Sequence, residues 1–155
     1  DQPQEPAVRL AALIDERLAI VTEVVRTKWN TQAAIEDPVR EASLLETLRV
    51  RAATLGVSAA RADSFFGAQI EAAKLLQREL FAQWQREQRG QFASVADLAL
   101  DIRPEIDRVT GSMLEQLARV PASASLQLPR ASTMALISPA AINMARAPLL
   151  SAAGT

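Results

Sequence analysis

The sequence predicts an all-α fold, a helical bundle with long first and third helices, and three observations carry that prediction. Ala, Leu, Arg, Glu and Gln are abundant, with only five Gly in 155 residues and few β-branched runs, so intrinsic propensity favours helix. Apolar residues recur at alternating steps of three and four over long stretches, the spacing of one helix face. Capping and stopping residues stand at the ends of those stretches. Strands are not expected.

The first helix is expected from about Pro6 to about Thr31, where Leu10, Ile14, Arg17, Val21, Val24 and Lys28 form one stripe. The second covers about 38–55: Asp37 can cap it, Pro38 suits the first helical position, and Gly56 follows the last periodic residue as a C-terminal cap. Ser58 opens the third, whose stripe Phe66, Ile70, Ala73, Gln77, Leu80, Trp84 leads into the polar run 85–90. Ser94 with Asp97 resembles a capping box and opens a fourth segment through Leu117, which Pro104 must kink or truly begin. Pro121 stops it. Residues 121–155, rich in Ala, Ser and Pro with one weakly amphipathic stretch at Met134–Met144, are expected to be a loosely packed tail. The whole is a single domain, 1–155, with its core at about 6–120 and no internal repeat or linker.

With 49% hydrophobic residues, a chain of this length can bury a real core. A formal net charge of −1 with acids and bases interspersed gives no basic field for nucleic acid and no polybasic segment for a membrane surface. The longest apolar runs are short and broken by charge, so no bilayer-spanning helix is expected. A small soluble partner is favoured. The absence of Cys and His removes thiol nucleophiles, disulfides, the usual zinc ligands, His bases and Ser-His-Asp triads. With Tyr absent too, catalysis must rest on charge and positioning, with no metal and no cofactor expected. The opening at Asp1 without Met is compatible with a processed, exported protein or with a trimmed chain.

Arg17, Lys28 and Gln77 occupy stripe positions where a core would take Leu or Ile. Burying an unpaired charge costs several kcal/mol, and a buried unpaired amide costs about 1–3 kcal/mol, so something must satisfy these groups. Arg17 and Lys28 are eleven residues apart, close to three turns, which puts both on one face with α-carbons about 16 Å apart. A small guest carrying carboxylates would fit between their heads. Each cation alone could instead snorkel or pair with an acid on a neighbouring helix. Asp37 reads first as an N-cap, Arg40 and Glu41 as a solvated first turn, Arg103 as a surface residue, and Trp29, Phe65, Phe66 and Trp84 as core.

The ordered set Arg17, Lys28-Trp29, Ile35-Glu36-Asp37, Arg40-Glu41 and then Gln77 resembles the all-helical class of chorismate mutases, in particular its exported subgroup. The likeness runs from about Arg9 to Leu117 and leaves out the tail. The segment Ile102-Arg103-Pro104-Glu105-Ile106-Asp107 is similar to the Leu-Arg-x-x-Ile-Asp opening of cytoplasmic members, whose Arg serves the partner subunit; placed late, it would let one chain complete its own site. The resemblance implies Arg17 and Arg103 as clamps for the two carboxylates of chorismate, and Lys28 and Gln77 beside the ether oxygen whose bond breaks. It implies Asp37, Arg40 and Glu41 at the hydroxyl end, holding Lys28 and the ring. Ala73 stands where relatives can carry a hydroxyl, and Leu44 where some exported relatives have an amide.

The implied activity is the rearrangement of chorismate to prephenate, a step of aromatic amino-acid biosynthesis, by a periplasmic or secreted homodimer whose signal peptide has been removed. Two alternatives stay open. The same pocket could eliminate pyruvate from isochorismate, or a non-catalytic bundle could bind a dicarboxylate or a partner helix.

Overall fold

The structure, a computed structural model, describes residues 4–124, 126–129 and 133–151. Its helices are α1 (Gln4–Thr31), α2 (Pro38–Thr54), α3 (Ala59–Arg86), α4 (Arg103–Ala118), α5 (Thr133–Ile137) and α6 (Pro139–Ser151), with a π-helical turn at Leu98–Ile102 before α4 and no strand among the described residues. At 28 residues each, α1 and α3 are rods about 42 Å long. α1 packs against α3 and α4, while α2 lies on α3. Their apolar stripes meet in one core: Leu10, Ile14, Leu18 and Val25 of α1, Phe65, Phe66 and Leu76 of α3, and Val109, Met113 and Leu114 of α4 are all buried. Trp29 and Trp84 belong to it, edge to face with centroids 5.6 Å apart.

The helix ends follow the expected chemistry. Asp37 Oδ1 accepts from the Arg40 amide at 3.2 Å, and Glu41 Oε2 accepts from the Asp37 amide at 3.0 Å, so two of the free amides at the start of α2 are satisfied. Gly56 closes α2 at φ +77°, a conformation that a Cβ would strain. Ser58 Oγ caps α3 by accepting from the Arg61 amide at 3.1 Å.

The start of the fourth segment differs from expectation. Asp97, rather than Ser94, is the cap, with Oδ1 accepting from the Leu100 amide at 2.7 Å. Pro104 has no N–H for the Leu100 carbonyl, and just before it the ladder widens: the Ile102 amide reaches the Asp97 carbonyl at 3.1 Å and the Arg103 amide reaches Leu98. Regular helix begins only at Arg103.

The expected loose tail is also corrected. α6 lies along α3, and Met134, Ala141, Ile142, Ala145 and Leu149 are buried with the main core. Ala141 and Ala145 are fully buried, so small side chains at a spacing of four let the α6 backbone approach closely. Gln69 Nε2 of α3 then reaches the Ala145 carbonyl at 2.8 Å. Ser138 Oγ caps α6, accepting from the Ala141 amide at 3.1 Å and donating to Glu79 at 3.0 Å. The core therefore runs to Leu149; residues 125, 130–132 and 152–155 of the tail lie outside the described residues, as does the opening 1–3.

Candidate active site

An open cleft of about 730 Å³ lies between α1, α2, α3 and α4, within the range of small-molecule sites. Each helix contributes the face that its stripe dictates: Arg17, Val21, Val24 and Lys28 from α1; Arg40, Leu44, Leu48 and Arg51 from α2; Ile70, Ala73, Lys74 and Gln77 from α3; and Ile106, Asp107, Thr110 and Gly111 from α4. Five bases and three acids line it, the acids being Asp37, Glu41 and Asp107.

Arg17 is 7% exposed. Its Nε donates to Thr110 Oγ1 at 3.3 Å and its Nη1 to the Gln69 carbonyl at 3.5 Å, both neutral and both long. No ion pair joins it to a carboxylate among the described residues. Burial pushes its pKa down to about 10, against a smaller opposing pull from Asp107. Lys28 is half-buried, and its Nζ donates to the Ile35 carbonyl at 3.3 Å, where the chain turns into α2. Burial also lowers the Lys28 pKa; Asp37 and Glu41 resist, while Arg40 and Arg103 add to the fall.

Gln77 is 5% exposed. One Nε2 proton goes to the Ala73 carbonyl at 3.2 Å, which leaves the second proton, and its buried Oε1 has no partner among the described residues. Such an orphan costs about 1–3 kcal/mol, and Gln77 lines the cleft. At the α2 end, Glu41 is already engaged through both oxygens: Oε2 by the Asp37 amide, and Oε1 by Lys74 Nζ at 2.9 Å. Burial alone would raise the Glu41 pKa, but these bonds hold it below the usual range. Lys74 also pairs with Glu71 at 2.9 Å and Glu36 at 3.7 Å, and its hydrogen bonds to Glu71 and Glu41 raise its pKa.

Of the residues singled out from the sequence, Arg17, Lys28, Asp37, Arg40, Glu41, Ala73 and Gln77 line this one cleft. Arg103 is not among the lining residues; it stands one turn before Ile106 and Asp107, near enough for its charge to act on Lys28. The Asn30–Phe92 pairing at 2.7 and 3.0 Å holds the segment leading to Arg103 against the end of α1. Arg51, Lys74, Asp107, Thr110 and Gly111 also line the cleft and had not been picked out. Their signal was present for α2, where Arg51 follows Arg40 by the same eleven residues that separate Arg17 from Lys28.

Fold and cleft together define an all-helical bundle with a cation-rich pocket of small-molecule size. The chain belongs to the chorismate mutase family. The family model described as chorismate mutase type II matches residues 8–78. The crystal structure of chorismate mutase from Burkholderia thailandensis superposes with a TM-score of 0.81 at 33% identity, over 93% of this chain and 98% of that one. The secreted chorismate mutase of Mycolicibacterium smegmatis is 27% identical over 114 residues, covering 74% of this chain and 62% of that protein. That of Yersinia pestis is 30% identical over 109 residues, covering 70% and 57%. This chain thus spans about three fifths of the length of those two secreted relatives.

Proposed function

We propose that the protein catalyses the Claisen rearrangement of chorismate to prephenate in the α1–α4 cleft. The observation that carries this reading is Arg17: a buried guanidinium with only long, neutral partners, facing the same cleft as Lys28 and Gln77. A guest with two carboxylates and a breaking carbon–oxygen bond accepts from the open donors of all three. Arg17 binds a carboxylate. Lys28 and the free proton of Gln77 stand by the ether oxygen, whose negative charge grows as the bond breaks, so their donation strengthens in the transition state. Holding the enolpyruvyl arm over the ring supplies the near-attack geometry. The reaction needs no external nucleophile and no proton transfer, which suits a chain without His, Cys or Tyr.

Arg40 and Asp37 hold the hydroxyl end in this reading, with Glu41 fixing the turn through Asp37 and Lys74. Arg103 acts from the rim on the second carboxylate. The roles of Asp37, Arg40, Glu41 and Arg103 rest on the family resemblance. So does a homodimer in which each chain builds its own site, and the cleft lined from four helices of one chain supports that arrangement. Export to the periplasm or beyond rests on relatives named as secreted.

The purified protein is expected to convert chorismate to prephenate without added metal. Product analysis by chromatography checks it: no turnover above the uncatalysed rate rejects the enzyme, and pyruvate released from isochorismate in its place identifies the lyase. Light scattering on the same preparation reads the oligomeric state, and a monomer removes the homodimer.

A further inference from the structure

Arg51 is a cleft cation to which the resemblance assigns no role, and unlike Lys74 it pairs with no carboxylate among the described residues. It stands in the last turn of α2, where a base is ordinarily explained as a solvated complement to the helix dipole. Its guanidinium does not extend into water away from the protein. It lies across to α4 over Gly111, so that a Cβ built there would stand 3.3 Å from Nη1 and 3.6 Å from Nη2. Gly111 is buried in the middle of α4, where glycine is disfavoured by about 1 kcal/mol relative to alanine. A glycine there has a use: it leaves room for the Arg51 head.

The residue before it, Thr110, accepts the Arg17 Nε. Two guanidinium groups from different helices thus reach consecutive residues of α4. Neither is matched by an acid. Arg51 makes no side-chain hydrogen bond or ion pair among the described residues, and Arg17 has only neutral acceptors. Asp107, one turn earlier on the same wall, acts on Arg17 through its field without pairing with either head. Both heads line one cleft, and a carboxylate placed between them would accept from both planar guanidinium forks.

We propose that Arg51, seated over Gly111, is a substrate-binding residue that forms with Arg17 a two-guanidinium clamp for one carboxylate of the substrate. This rests on the chorismate reading and deepens it: the second clamping charge comes from the end of α2, in addition to Arg103 of α4. Recognition is then of the carboxylate itself, and an ester at that position forfeits it.

The test compares the parent with Arg51→Ala, using chorismate and its two monomethyl esters. Arg51 is exposed, so circular dichroism and Tm should match the parent. A charged hydrogen bond of the usual strength predicts a KM for chorismate raised about 10- to 100-fold with kcat changed far less. For one ester the parent should fall to the level of the variant, because the interaction is already absent; a structural role would leave the penalties of ester and mutation multiplicative. A KM within about twofold of the parent, or multiplicative penalties with both esters, overturns the clamp. If the parent shows no turnover, the enzyme reading fails separately, and the clamp is judged on the rise in Tm with added chorismate: a rise diminished in Arg51→Ala supports it, and an equal rise or none in either protein overturns it.

Discussion

Gln69 and Gln77 are the same residue, two turns apart on α3, at 2% and 5% exposure. Each donates to the carbonyl four residues before it at 3.2 Å. They differ in what faces them. The second proton of Gln69 meets the Ala145 carbonyl, which α6 carries into place, whereas Gln77 looks into the cleft with an orphan oxygen and a spare proton. The first amide fastens a helix. The second is left for a guest. A polar side chain in an apolar stripe therefore signals a need for satisfaction, and only the opposing wall decides whether the protein or a ligand meets it.

The largest effects should come from the unsatisfied side. Lys28→Ala and Gln77→Leu are each expected to lower kcat by about 10²–10³, the usual loss for one donor at a developing oxyanion, with Tm held or raised. Steady-state kinetics beside a melting curve reads both; retained activity in Lys28→Ala would remove it from the ether oxygen.

Arg17→Met takes the contrast one step further. Replacing a buried charge that lacks an acidic partner by an apolar chain of similar length should stabilise the unliganded fold, on the order of 1–4 kcal/mol, while abolishing turnover. Denaturant unfolding checks the first half, and a less stable variant would mean that Arg17 is held by the protein after all.

On the satisfied side the signs reverse. Gln69→Leu leaves the Ala145 carbonyl without its donor and should destabilise the fold by about 1–3 kcal/mol, with kcat in the surviving folded protein close to parental. Parental stability would reduce the Gln69–Ala145 bond to an incidental contact.

The smallest expected effect is on the pH profile. Lys28 must carry its proton to assist the leaving oxygen, and burial lowers its pKa from the ordinary 10.5. A depressed base is charged at low pH and loses its proton earlier as pH rises. The kcat/KM of the free enzyme should therefore decline on the alkaline side, starting below the ordinary lysine range, and a decline absent from a Lys28→Arg variant that keeps measurable activity would tie it to this residue. A flat profile into that range removes Lys28 as the titrating group.

How far this contrast could be read in advance differs by helix. Arg17, Lys28 and Gln77 were legible because a charge or amide breaks an otherwise regular stripe, and Asp37, Pro38, Gly56 and Ser58 because caps are local chemistry. Gln69 escaped notice for the opposite reason: it flanks the stripe that runs through Phe66, Ile70 and Ala73, and the groove that buries it is built by α6, far along the chain. α6 itself was hidden by composition, since Ala141 and Ala145 look like tail residues until a second helix comes close enough to use their smallness. Arg51 shares the face of Arg40 at a spacing of eleven, but that signal was outweighed by its position, because the end of a helix already accounts for a base. Pro104 announced a break, but its form as a widened turn capped by Asp97 depended on which carbonyls lay within reach.

The walls of the cleft are also unequally built. α2 buries only Leu48 and Ala52, and ionic ties such as Arg49–Asp63 and Glu41–Lys74 hold it to α3. Helices fastened so lightly open at low free energy, and this one carries Arg40 and Arg51 at its two ends. An arriving dianion would staple both ends to the better-anchored rods opposite, so the wall with the fewest buried contacts of its own is the one to which the guest would add most.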